Sequence, residues 1–148
     1  MSTADSRSPS AVPAVEVEVE VRYAETDQMG VVHHSNYLVW FELARTRLCA
    51  RTGTPYQEIE EQGYFLVVTG VGVRYRRSAR YPDRLRIRCR LGELSSRGLT
   101  FVYEVLRGEE LLATGETEHL WLERATGRPC RPPENLRQAF LALASEDP

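Results

Sequence analysis

The segment that decides the fold runs from Val15 to Gly53, "VEVEVEVRYAETDQMGVVHHSNYLVWFELARTRLCARTG". Up to Tyr23 it alternates apolar and charged positions, the period of a half-buried strand. From Ser35 it reads as a helix. Ser35 or Asn36 can cap its start and Gly53 can close its end. The first half of that helix, Tyr37 to Phe41, is apolar nearly all round, which predicts a largely enclosed helix. Between strand and helix lies a connection that no simple turn requires: two carboxylates, two adjacent histidines, a glycine and two tyrosines.

Downstream, "TPYQEIEEQG" predicts a short helix, with Thr54 as cap, Pro55 at the first helical position and Gly63 as stop. The chain then turns to β-structure. Strands are expected at 64–77, 84–96, 98–107 and 110–123, joined by short links, and a last helix at 133–144. Consecutive strands with short links pair antiparallel. One long helix against such a sheet is an α+β layer arrangement. Residues 1–14 read as a disordered tail and 15–148 as a single domain.

Bulk properties narrow the function. A chain of 148 residues is long enough to bury a core. The net charge of −2 argues against a nucleic-acid binder, which carries a basic excess. No apolar run approaches the ~20 residues of a membrane-spanning helix. The N-terminus has no signal-peptide core, so a cytoplasmic home is expected. Cys49, Cys89 and Cys130 are odd in number and widely spaced, neither a disulfide framework nor a zinc knuckle. All 19 basic residues are arginine. Without lysine, Schiff-base chemistry is excluded. No metal or cofactor is expected.

The loop from Asp27 to His34 ends where the helix begins. A helix N-terminus offers unpaired N–H groups and positive potential, suited to a developing oxyanion. Gly30 allows a tight turn and close approach to the backbone. Asp27 can serve as base or nucleophile, or merely as a turn cap. His34 can orient a carbonyl or donate a proton, and Tyr23 can hydrogen-bond the Asp27 carboxylate. His33 is the weaker of the histidine pair. His119, Trp40, Phe41 and Trp121 read as packed residues.

"YAETDQMGVVHHSNYLVWFELART" resembles the signature segment of the 4-hydroxybenzoyl-CoA thioesterase family, closest to the acyl-CoA thioesterase branch associated with the Tol–Pal operon. The shared elements are Tyr23-x-x-x-Asp27, Gly30, Val32, His34, Tyr37 and Glu42-x-x-Arg45. The resemblance implies a hotdog fold, a long central helix wrapped by a five- or six-stranded antiparallel sheet. It implies hydrolysis of an acyl-coenzyme A thioester, with the carboxylate matching Asp27 as nucleophile or general base. It also implies a backbone N–H near His34 that polarises the carbonyl, with Gly30, Val32 and Tyr37 about the substrate. A site at a dimer interface follows, hence a homodimer or homotetramer, with coenzyme A only as part of the substrate. In another branch a helix glutamate is the base; here the Glu42–Arg45 spacing suits an ion pair instead.

Coenzyme A carries phosphates, which suit arginine forks. The ladder Arg84, Arg86, Arg88 and Arg90 reads as a solvent face paired with Glu104, Glu116 and Glu118. Arg76, Arg77 and Arg80, at a strand end, are the phosphate candidates. Rival functions are a hotdog hydratase, a thioesterase for carrier-protein-bound polyketides, and a non-catalytic acyl-CoA sensor.

Overall fold

The structure is a computed structural model that describes residues 14–145. The segment expected as a tail lies outside the described residues, except for Ala14, which opens the first strand. Five strands form one sheet: β1 (Ala14–Glu20), β2 (Tyr64–Tyr75), β3 (Arg84–Leu94), β4 (Gly98–Arg107) and β5 (Glu110–Glu123). The helices are α1 (Asn36–Ala50), α2 (Tyr56–Glu61) and α3 (Glu134–Ser145). The sheet order is β1-β3-β4-β5-β2, with every pair antiparallel.

Alternation sets the two faces. Along β3, Leu85, Ile87, Cys89 and Leu91 are buried beneath α1, and the arginines between them face outward. β4 and β5 continue the inner layer with Phe101, Tyr103, Val105, Ala113 and Trp121. α1 lays Tyr37, Trp40, Phe41, Ala44 and Leu48 onto it. The Phe41 ring stacks on Tyr103 with centroids 4.1 Å apart. The helix can sit this low because residue 115 is glycine: a Cβ there would lie 2.6 Å from the Phe41 ring. α3 closes one end of the sheet, with Phe140 edge-on to Trp121 at 5.7 Å.

Three expectations need correction. First, β2 and β3 follow each other but do not pair. β2 forms one edge of the sheet and β3 lies next to the other edge. Residues 76–83 cross between them, because the β3–β4–β5 hairpins fill the middle. Second, α1 is not enclosed by the rest of the described chain: Leu38, Val39 and Leu43 are 41%, 51% and 48% exposed. Third, the outer ladder uses a partner from β1. Glu16 bridges Arg86 at 2.9 Å and Arg88 at 3.1 Å, and Glu104 meets Arg88 at 3.5 Å. Among the described residues no ion pair reaches Glu116 or Glu118.

Candidate active site

The loop before α1 is built almost entirely by backbone bonds. After β1 the chain makes a 3-10 turn over Tyr23–Glu25. Glu25 is buried, and its Oε1 accepts the Arg22 amide at 2.8 Å. Its own carbonyl accepts the His33 amide at 2.8 Å and Asn36 Nδ2 at 3.0 Å. A tight hairpin then runs from Thr26, bridged to Val32, with the Asp27 amide donating to the Val31 carbonyl at 2.8 Å. Gly30 turns it with φ of 82°, a left-handed conformation that side chains disfavour.

This hairpin docks on the crossover. The Val32 amide donates to the carbonyl of buried Ala79 at 2.9 Å, and Val31 bridges Arg80. The crossover is pinned in turn by Arg107. One guanidinium nitrogen donates to Asp83 Oδ2 at 2.7 Å and to the Ser78 carbonyl at 3.3 Å; another reaches Glu110 Oε1 at 2.8 Å. Those bonds to Glu110 and Asp83 raise the Arg107 pKa.

The result is a cleft of about 300 Å³ lined by Asp27, Val32, His34, Tyr37, Tyr75, Arg76, Arg77 and Ser78. Six of these were expected from the sequence and come together here. Asp27 Oδ1 accepts the Met29 amide at 2.8 Å, so the turn-cap reading holds for that oxygen. Oδ2 carries no hydrogen bond among the described residues, which leaves it for a substrate or a water. One carboxylate therefore fixes the loop and presents a lone oxygen.

α1 begins just past His34, but neither Ser35 nor Asn36 caps it by its side chain in the expected way. Its first amides bond to the carbonyls of residues 33–35 instead; His33 Nδ1 accepts the Ser35 amide at 3.2 Å just before the helix, and Asn36 Nδ2 bonds back to the Glu25 and His33 carbonyls. Ser35 Oγ lies 2.8 Å from the same Nδ1. His33 also stacks on His34, with centroids 4.3 Å apart. The His34 amide has no acceptor among the described residues. A free donor thus sits at the positive end of a helix, beside Asp27.

Tyr37 is buried beneath the cleft, and burial raises its pKa. Tyr75 meets it edge-on at 4.9 Å and directs its hydroxyl to the His34 carbonyl at 3.4 Å. Sequence reading missed Tyr75 and Ser78. The only signal was an aromatic at a strand end, next to the arginines. Arg77 is tied to Glu110 at 3.0 Å, while Arg76 has no side-chain partner among the described residues.

Tyr23, Gly30 and Arg80 do not line this cleft. Gly30 shapes the loop, and Arg80 lies against it: a Cβ on Gly30 would be 3.7 Å from its guanidinium. The expected Tyr23–Asp27 bond is absent among the described residues. Tyr23 is 77% exposed and packs edge-on to Tyr81 at 5.8 Å, because the 3-10 turn swings it away from the hairpin. The expected Glu42–Arg45 pair is also absent there. Glu42 is exposed, and Arg45 turns inward to Tyr103 Oη at 3.5 Å. It meets a buried polar cluster: Thr117 Oγ1 lies 2.6 Å from Tyr103 Oη and 2.7 Å from His119 Nε2. His119 is 3% exposed, and burial lowers its pKa to about 4. The packed reading of His119 holds.

Comparison with known proteins agrees with this architecture. The family model described as the thioesterase-like superfamily matches residues 21–140. YneP of Bacillus subtilis, provisionally named an acyl-CoA thioesterase, is 31% identical over 124 residues, covering 83% of this chain and 87% of YneP. The crystal structure of a DHNA-CoA thioesterase from Staphylococcus aureus superposes with a TM-score of 0.83 at 33% identity, covering 88% of this chain and 90% of that one. A Thermus thermophilus protein of hypothetical status, TT1821, gives 0.82 at 45% identity, covering 86% and 98%. A cleft with a free carboxylate oxygen and a free helix-start amide, on this sheet order and with these relatives, identifies the chain as a hotdog-fold enzyme of the thioesterase-like superfamily.

Proposed function

We propose that the protein hydrolyses the thioester bond of an acyl-coenzyme A, with Asp27 acting on the carbonyl carbon directly or through a water. The observation that carries the reading is that Asp27 and His34 line one cleft, and that Asp27 Oδ2 and the His34 amide have no hydrogen-bond partner among the described residues. The carbonyl oxygen would accept from the His34 N–H. Negative charge developing there is stabilised by the helix terminus. The carbon–sulfur bond then breaks and the thiolate leaves with a proton; water supplies the acid's new oxygen, either as the attacking group or by hydrolysing the anhydride that direct attack by Asp27 forms. The His34 side chain stands beside the cleft, able to donate a proton to the leaving sulfur. No cofactor is needed beyond the coenzyme A of the substrate.

Arg76 is the best-supported phosphate ligand, because its charge has no ion-pair partner among the described residues. Arg77 shares its charge with Glu110, and Arg80 flanks Gly30 at the loop. Within the superfamily, the motif favours the Tol–Pal-associated branch, and a cytoplasmic setting fits the same reading. We also propose a homodimer, or a tetramer made from two. The open edge of β2 and the exposed Leu38, Val39, Leu43, Val68 and Val71 offer a second copy both unpaired backbone and apolar surface.

The test follows free thiol release from short, medium and long aliphatic acyl-CoAs, from benzoyl- and phenylacetyl-CoA and from an acyl-carrier-protein thioester, with Asp27→Asn in parallel. Turnover that disappears in the variant is expected, and the preferred thioester names the acyl class. Near-full activity in Asp27→Asn would remove Asp27 from its role. Turnover only on carrier-protein thioesters would favour the rival substrate class, and none on any thioester would favour a binding role.

A further inference from the structure

A second cavity lies at the other end of the sheet. It has a volume of about 220 Å³ between α3 and the β3–β4 hairpin. Its distance from the active-site cleft follows from β5. Ala113 pairs with Tyr75 of that cleft, while Trp121, eight residues on, lines the second cavity. At ~3.3 Å per residue the two are about 25 Å apart within the chain.

The walls are apolar and fixed. Leu99, Trp121 and Phe140 are all buried, and Leu94 completes the hairpin side. The β3–β4 register slips between Leu91 and Leu94, which sets the hairpin tip apart from the regular ladder. Polar groups reach the cavity from both sides: Ser96 on the hairpin and Arg137 on α3. Arg137 is half exposed, and its ion pair is a long one, 3.7 Å to Glu134 Oε2. Glu134 is also held by Gln138 at 2.6 Å, so it competes weakly for the guanidinium. An apolar pocket with one cation available at its rim suits a ligand with an apolar tail and one negative head.

We propose that this cavity binds a small monocarboxylate, its tail against Trp121 and Phe140 and its carboxylate on Arg137. At ~30 Å³ per water-sized group the space holds about seven such groups, which matches a short acyl chain or one aromatic ring. The choice of a carboxylate rests on the thioesterase reading, since hydrolysis of an acyl thioester releases such an acid. The site would thus sense the enzyme's own class of product, away from the reacting centre.

Calorimetric titration of the full chain with hexanoate tests this. Binding to the wild type is expected, about tenfold weaker in Arg137→Gln for loss of a charge-assisted bond. It should be abolished in Leu94→Trp, which fills the cavity, and unchanged in Asp27→Asn. The neutral hexanamide should bind the wild type no better than hexanoate binds Arg137→Gln. Equal hexanoate affinity in wild type and Arg137→Gln overturns the proposal, as does binding lost only in Asp27→Asn. Because titration needs no turnover, an inactive enzyme that still binds hexanoate through Arg137 would count against the catalytic reading and leave this one standing.

Discussion

Two polar clusters divide the molecule between them. In the cleft, Asp27, His34 and Arg76 keep groups that have no partner among the described residues: a carboxylate oxygen, an amide and a guanidinium. Inside the sheet, Tyr103, Thr117 and His119 Nε2 bond one another, with Arg45 3.5 Å from the Tyr103 hydroxyl, and only His119 Nδ1 is buried without a partner among the described residues. The first arrangement leaves chemistry available to a visitor. The second pairs the Tyr103 hydroxyl, Thr117 Oγ1 and His119 Nε2, buried groups that would otherwise destabilise the fold. Changes in the cleft should therefore alter rate without altering stability, and changes in the interior should do the reverse.

The sharpest test is Asp27→Asn. Turnover should fall about a thousandfold, in the range lost with a positioned base, while the unfolding midpoint stays near that of the wild type. A large fall in stability would erase the distinction. Thr117→Val should do the opposite. It strands both the Tyr103 hydroxyl and His119 Nε2, and should lower unfolding free energy by about 1–3 kcal/mol in denaturant titration, with little change in turnover per folded molecule.

Acid provides the next contrast. His119 is held at about 4 against an ordinary 6.5, first by burial and then by the nearby charge of Arg45. The unfolded chain takes up that proton near 6.5, whereas the folded chain waits until about 4. Its contribution is whole above the unfolded value, drains away as pH falls between the two, and is gone below the lower one. The loss should be on the order of 3 kcal/mol. Denaturant curves taken across that interval should show it, and His119→Gln should flatten it. The smallest effect separates the arginines. Arg76→Ala should raise KM for an acyl-CoA by roughly fivefold, the loss of one exposed phosphate contact. Arg88→Ala, whose charge is already matched by Glu16 and Glu104, should leave KM unchanged.

How much of this was legible beforehand follows the range of each signal. The four long strands and the helices came out of period and turn residues, because those patterns are local. Strand order did not. Nothing within residues 64–94 says that the two consecutive strands end up apart; that depends on where the hairpins go. The apolar flank of α1 was read correctly as apolar, but the chain itself does not cover it, since one sequence cannot show what lies opposite a helix. In the site, Asp27, Val32, His34, Tyr37, Arg76 and Arg77 were found by motif and charge. Tyr75, Ser78 and Arg107 were missed because they arrive from distant segments. Tyr23 was misplaced because spacing along the chain says nothing of a 3-10 turn that rotates the ring outward.

The crossover of residues 76–83 has one more consequence. It joins the two sides of the sheet and also forms one wall of the cleft, gripping the hairpin through Ala79 and Arg80. A nascent chain that has emerged only through α1 holds Asp27, Gly30 and His34 in order, yet has nothing to hold them against. Closing that long loop costs chain entropy before any contact repays it. Activity should thus return late in refolding, with the completed sheet and after helix formation. An insertion between Arg77 and Asp83 should disable the enzyme more thoroughly than one of the same length in the Gly108 turn.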